Sequence, residues 1–226
     1  MSTDGGRHAA QTRIVLRPVG SALPLGFFAF GTGMAVLAGV DIPLFPQTML
    51  HPAAALLITF VAPLEILAAV LAFLARDGMA GTGLGLFAAS WATLGVQDLM
   101  AKPGTTSPVL GLYLVTFAVV ILLLGVIAVR AQPLLALILL VSTVRTALAG
   151  VYELGGPKPL FTAAGVMATA ITALAFYGAV AFLLEDTAHR TVLPLARRGQ
   201  ARTSLHGNID DQLRGLDAEA GIRRSL

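Results

Sequence analysis

Two charged residues fall inside apolar runs. Glu65 lies in VAPLEILAAV and Arg145 in LVSTVRTALAG. A charged side chain at the centre of a bilayer costs about 2.5–3.5 kcal/mol on insertion scales, so it turns to a bundle interior or to water and takes a partner. A guanidinium so placed can attract an anion, and a buried carboxyl can carry a proton. The plainer reading is a buried ion pair that fixes helix packing. Pro63 stands two residues before Glu65. It cannot donate to the carbonyl of Thr59, so a helix should kink there, and the freed carbonyl must find another donor.

The remaining chemistry-bearing residues argue against other sites. The four histidines (His8, His51, His189 and His206) lie outside the apolar runs, and none has a metal-ligand spacing to another. There is no cysteine, which excludes disulfides, thiolate metal sites and a thiol nucleophile. No Ser/His/Asp grouping falls at membrane depth, and there is neither a phosphate loop nor an H-E-x-x-H motif. The glycines of MAGTGLGLF have the wrong spacing for a dinucleotide fingerprint, and close helix contact is the simpler reading. No enzyme, metal or cofactor is expected. The basic tail is too interrupted by acids to suggest nucleic acid.

The elements that must position Glu65 and Arg145 follow from composition. The chain has 226 residues, is 56% hydrophobic and only 12% charged. Soluble domains carry roughly 25% charged residues, so a bilayer is the expected solvent. Six segments are apolar and long enough to span: about Leu23–Val40, Pro52–Ala75, Met79–Val96, Pro108–Val129, Pro133–Tyr152 and Leu160–Leu184. The expected fold is an all-α membrane protein, a bundle of six transmembrane helices (residues 21–186) between an N-terminal tail (1–20) and a C-terminal tail (187–226). No cleavable leader is expected. Twelve Lys and Arg fall on the side of the termini and two on the other, which places both termini in the cytoplasm. The C-terminal tail reads as a solvated segment held near the membrane by arginines, with a short helix after Asn208. Within this topology Glu65 and Arg145 differ in depth by roughly 6–7 Å at 1.5 Å per residue, a gap both side chains can cover if their helices are neighbours.

Several stretches match a known pattern in order. The first span opens Ser21-Ala22-Leu23-Pro24-Leu25-Gly26-Phe27, followed by Phe30 and Gly31. The fourth starts LGLYL, and the last ends in Arg190-Thr191-Val192-Leu193-Pro194. This resembles the acetate uptake transporter family, also called the succinate–acetate permeases. Its first helix opens N-P-x-P-L-G-L, its fourth G-x-Y-L, and its last ends R-T-V-L-P. Pro24, Leu25 and Gly26 match. Ser21 stands where the family has Asn near the pore mouth, Glu65 where it often has Gln, and Arg145 where it has an apolar residue.

The resemblance implies a six-helix protomer with its own pore, assembled as a hexamer in the inner (plasma) membrane. It implies transport of acetate, and in some members succinate, with protons. The pore narrows at a hydrophobic constriction: Phe30 takes one position, Phe87 a second in place of Tyr, and Ser142 the third, where the family has Leu. The expected function is a transporter or channel for small monocarboxylates, with Phe30, Phe87, Ser142, Arg145 and Glu65 along the substrate path. Two alternatives stay open: a neutral-solute channel for urea or short amides, and a non-transporting subunit that binds a partner through its C-terminal tail.

Overall fold

The computed structural model describes residues 20–130, 132–188 and 190–196. Most of both expected tails, and the helix expected after Asn208, lie outside these residues. Among the described residues six helices are long and apolar enough to cross a membrane, and no strand is present. They are α1 (Leu23–Asp41), α2 (Leu50–Leu74), α3 (Gly78–Met100), α4 (Pro108–Ala128), α5 (Pro133–Glu153) and α6 (Lys158–Ala188). The chain is a multi-pass, all-α membrane protein.

Local signals account for the helix starts. Pro24, Pro108 and Pro133 occupy first-turn positions, where a missing N–H costs nothing. Asp77 caps α3 by accepting from the Ala80 N–H at 3.0 Å. Ser107 caps α4 by accepting from the Leu110 N–H at 3.3 Å. The helix ends depart from the hydropathy limits. In α1, α3, α5 and α6 the helix runs past the hydropathy limit to take in Asp41, Asp98, Glu153 and Glu185. Hydropathy marks the edge of the hydrocarbon, whereas backbone hydrogen bonding can continue beyond it.

The irregularity expected at Pro63 takes the form of a π turn, Leu57–Val61, on its N-terminal side. There the Ala62 N–H donates to the Leu57 carbonyl, five residues back. Such turns are rare and cluster at functional sites. One turn beyond it lies Glu65.

The helices follow one another around a ring. α1 packs on α2 and α6, α2 on α3, α4 on α5, and α5 on α6, while α3 and α4 meet more sparingly. α2 and α5 therefore stand on opposite sides. Large apolar side chains also cover the outside, among them Ile66, Leu67, Val70 and Phe73 on α2 and Leu112, Leu123, Val126 and Ile127 on α4. A bilayer accepts such a surface.

The α4–α5 contact depends on two glycines. A Cβ at Gly111 would lie 2.9 Å from the Gly150 carbonyl oxygen, and one at Gly150 would lie 2.9 Å from the Val115 backbone nitrogen. Backbone cannot step aside as a side chain can. At Gly26 the nearest obstacle is only the flexible end of Leu84. Gly150→Ala should therefore destabilise the protein by roughly 1–3 kcal/mol, and Gly26→Ala by clearly less. Thermal unfolding of the two variants in detergent measures the difference.

Candidate functional site

Arg145 is 4% exposed and sits on the inner face of α5. A bare guanidinium there would be costly, and the structure supplies a counter-ion. Arg145 Nη2 donates to Asp41 Oδ2 at 2.6 Å. Asp41 is the last residue of α1 and is 2% exposed. Its position rests on α6: a Cβ at Gly165 would come 2.8 Å from the Asp41 Cβ. The pair thus joins α1 to α5, two helices that each pack on α6. The Nε of Arg145 is buried and has no hydrogen-bond partner among the described residues.

Arg145 borders a small internal cavity. Thr146 lies beside it, Ser90 and Trp91 contribute from α3, and Phe87, Met34 and Phe117 form apolar walls. The wall is part of a larger aromatic cluster. The Phe30 and Phe87 rings meet edge to face with centroids 4.8 Å apart. Phe87 meets Phe117 at 5.6 Å, Phe30 meets Trp91 at 5.9 Å, and Tyr113 stacks on Phe117 at 5.8 Å. Edge-to-face rings set the positive edge of one against the negative face of the next, which holds the cluster rigid. The cavity therefore offers one planar cation, two hydroxyls and an aromatic wall. The cavity measures about 10 Å³, roughly the room of one water, so these groups can meet a small carboxylate only where the walls move apart.

Glu65 and Arg145 do not pair. Trp91 Nε1 donates to Glu65 Oε1 at 3.0 Å, and Glu65 is fully buried. The reason is the ring order, which sets α2 and α5 apart. Glu65 does not line the cavity and reaches it only through Trp91. Its Oε2 has no partner among the described residues.

The other expected site residues divide into three groups. Phe30 and Phe87 are buried and brought together. Ser142 is fully buried one turn before Arg145, and its Oγ has no hydrogen-bond partner among the described residues. The opening motif lies at the other end of α1 from Asp41. There Ser21 is exposed and accepts from the Leu23 N–H at 3.4 Å, while Pro24 and Gly26 are buried and Leu25 is half-buried.

Sequence reasoning missed Asp41, Asp98 and Glu153, all placed beyond the limits of the expected spans. Asp98 is within electrostatic reach of Asp41, Glu153, Arg145 and His51. Glu153 Oε2 accepts from the Ser107 N–H at 2.7 Å and ties the end of α5 to the start of α4. A signal was available: each acid stands within two residues of an apolar run, at the end of the bundle toward which Arg145 is displaced. Among the described residues no group of His, Asp and Glu is arranged to hold a metal ion.

Six spanning helices, four of which line a small aromatic-walled cavity beside a buried ion pair, define a membrane protein with polar groups in its interior. Residues 5–197 match the GPR1/FUN34/yaaH family model, and the chain belongs to that family. Among solved structures, the bacterial acetate channel SatP is similar in fold, with a TM-score of 0.72 at 23% identity. The match covers 78% of this chain and 99% of that one. No curated protein matches the chain in sequence.

The buried pair yields a stability prediction. Arg145→Met leaves the Asp41 carboxylate buried without its cation and should cost about 3–5 kcal/mol. Asp41→Asn together with Arg145→Met should recover most of that loss. Denaturation midpoints of the two proteins in detergent give the comparison.

Proposed function

We propose that this protein is a transporter or channel for small monocarboxylates such as acetate. The observation that carries the reading is the Arg145 guanidinium, held inside the helix ring with one nitrogen unpartnered, beside a cavity walled by Phe87 and Phe117. Family membership and the fold shared with an acetate channel support the same class.

In this mechanism an anion enters from one face and sheds part of its water against the aromatic wall. Its carboxylate meets the guanidinium, and its alkyl group lies against the rings. Phe30 and Phe87 form the constriction that the substrate must pass, and Ser142 adds a hydroxyl beside it. Selectivity comes from the width of the passage and from its few polar groups. Glu65 carries the coupled proton from behind Trp91, whose indole links it to the cavity wall. The protein works in the inner (plasma) membrane with both termini in the cytoplasm. It assembles as a homo-oligomer, a hexamer by its resemblance to the succinate–acetate permeases, and the apolar outer faces of α2 and α4 suit lipid or subunit contacts.

One observation favours the rival, a channel for urea or short amides. Asp41 neutralises Arg145, and a neutral pair suits a neutral solute. Reconstituted vesicles offered equimolar labelled acetate and urea separate the two. Acetate should enter in a saturable manner and urea should not; entry of urea alone sinks the carboxylate reading.

The aromatic wall makes a second prediction. Phe87→Ala should raise uptake of butyrate relative to acetate by about tenfold or more, the discrimination that one or two methylenes confer in an apolar pocket. Competition of each unlabelled acid against labelled acetate measures it.

A further inference from the structure

The ion pair occupies only part of the guanidinium. An arginine presents five N–H donors in a planar fork, enough for two carboxylates on different edges. Asp41 takes Nη2 through one oxygen. The Nε remains buried and unpartnered, on a side chain that borders the cavity. A salt bridge serving only to hold helices together gains most when both carboxylate oxygens engage and no donor is left over. This one leaves a donor over, on a side chain that borders the cavity.

Charge points the same way. A lone buried guanidinium would hold an incoming anion strongly and release it slowly. Passage requires binding favourable enough to enter and weak enough to leave. Asp41 cancels the charge of Arg145 at contact distance. Gly165 leaves room for Asp41 at this place, since a Cβ there would crowd both Asp41 and the Ile42 backbone nitrogen.

We propose that Asp41 is a resident carboxylate that sets how tightly a transported carboxylate is held at Arg145: it keeps Nη2, and the substrate takes the donors that Asp41 leaves free. The inference rests on the monocarboxylate reading above and adds a specificity-determining residue to it. Removing the Asp41 charge turns a site of passage into a site of retention.

The test is labelled-acetate uptake in vesicles, together with acetate binding to the detergent-purified protein. Asp41→Asn should tighten acetate binding by about tenfold or more while lowering maximal uptake, because one negative charge at contact distance has been removed. Asp41→Glu should restore weak binding and fast uptake. A fall in uptake with unchanged acetate affinity would show a merely structural pair and overturn the inference. Should Asp41→Asn fail to assemble, the double variant Asp41→Asn/Arg145→Gln decides. It keeps a neutral hydrogen-bonded pair and should lose saturable acetate uptake; wild-type half-saturation in that variant also overturns the inference. Failure of the wild-type protein to take up acetate at all would overturn the monocarboxylate reading itself, a result distinct from an unaltered affinity in Asp41→Asn.

Discussion

The buried contact between Arg145 and Asp41 is the constraint on which the interior depends. A guanidinium inside a ring of apolar helices is tolerable only with its charge met. Meeting it ties the end of α1 to the inner face of α5. Both helices pack on α6, where Gly165 makes room for Asp41. The pair therefore fixes the spacing of three helices at one end of the bundle. At the same end His51 reaches the Ala101 carbonyl at 3.2 Å, and Glu153 holds the start of α4. Several polar contacts gather at this end, where the chain leaves the hydrocarbon.

A second buried polar contact has a different character. Among the described residues Glu65 meets no cation, and its hydrogen-bond partner is the indole N–H of Trp91. One neutral donor is weak compensation for a buried carboxylate. The π turn and Pro63 lie immediately before it, so the most irregular part of α2 stands next to its most costly residue. Trp91 links this carboxyl to the cavity wall while its ring packs against Phe30. The aromatic cluster is in this way connected to both buried charges, by hydrogen bond on one side and by a shared cavity on the other.

Much of the fold was legible along the chain. Low charge and long apolar runs required six spans. The ends were less legible. A hydropathy reading stops at the first charge, and in α1, α3 and α5 that charge belongs to the helix. The consequence goes beyond a residue or two, because the hydropathy limit leaves Asp41 in a loop and hides it as a partner for Arg145. Glu65, the other charge at membrane depth, is the partner that the sequence alone suggests. The ring order rules out that pairing.

The sequence by itself determined that this chain lives in a bilayer, that Glu65 and Arg145 must be buried with compensation, and that Phe30 and Phe87 belong to elements that could converge. It could not determine which faces turn inward. In a soluble helix the polar face marks the outside, but here lipid-facing and interior residues are equally apolar, and periodicity carries little information. Only the tertiary structure decided that Arg145 meets Asp41, that Glu65 meets Trp91, and that the aromatic rings close around a cavity beside the guanidinium. Those outcomes depend on which helices are neighbours in the ring, a property of packing between segments far apart in the chain.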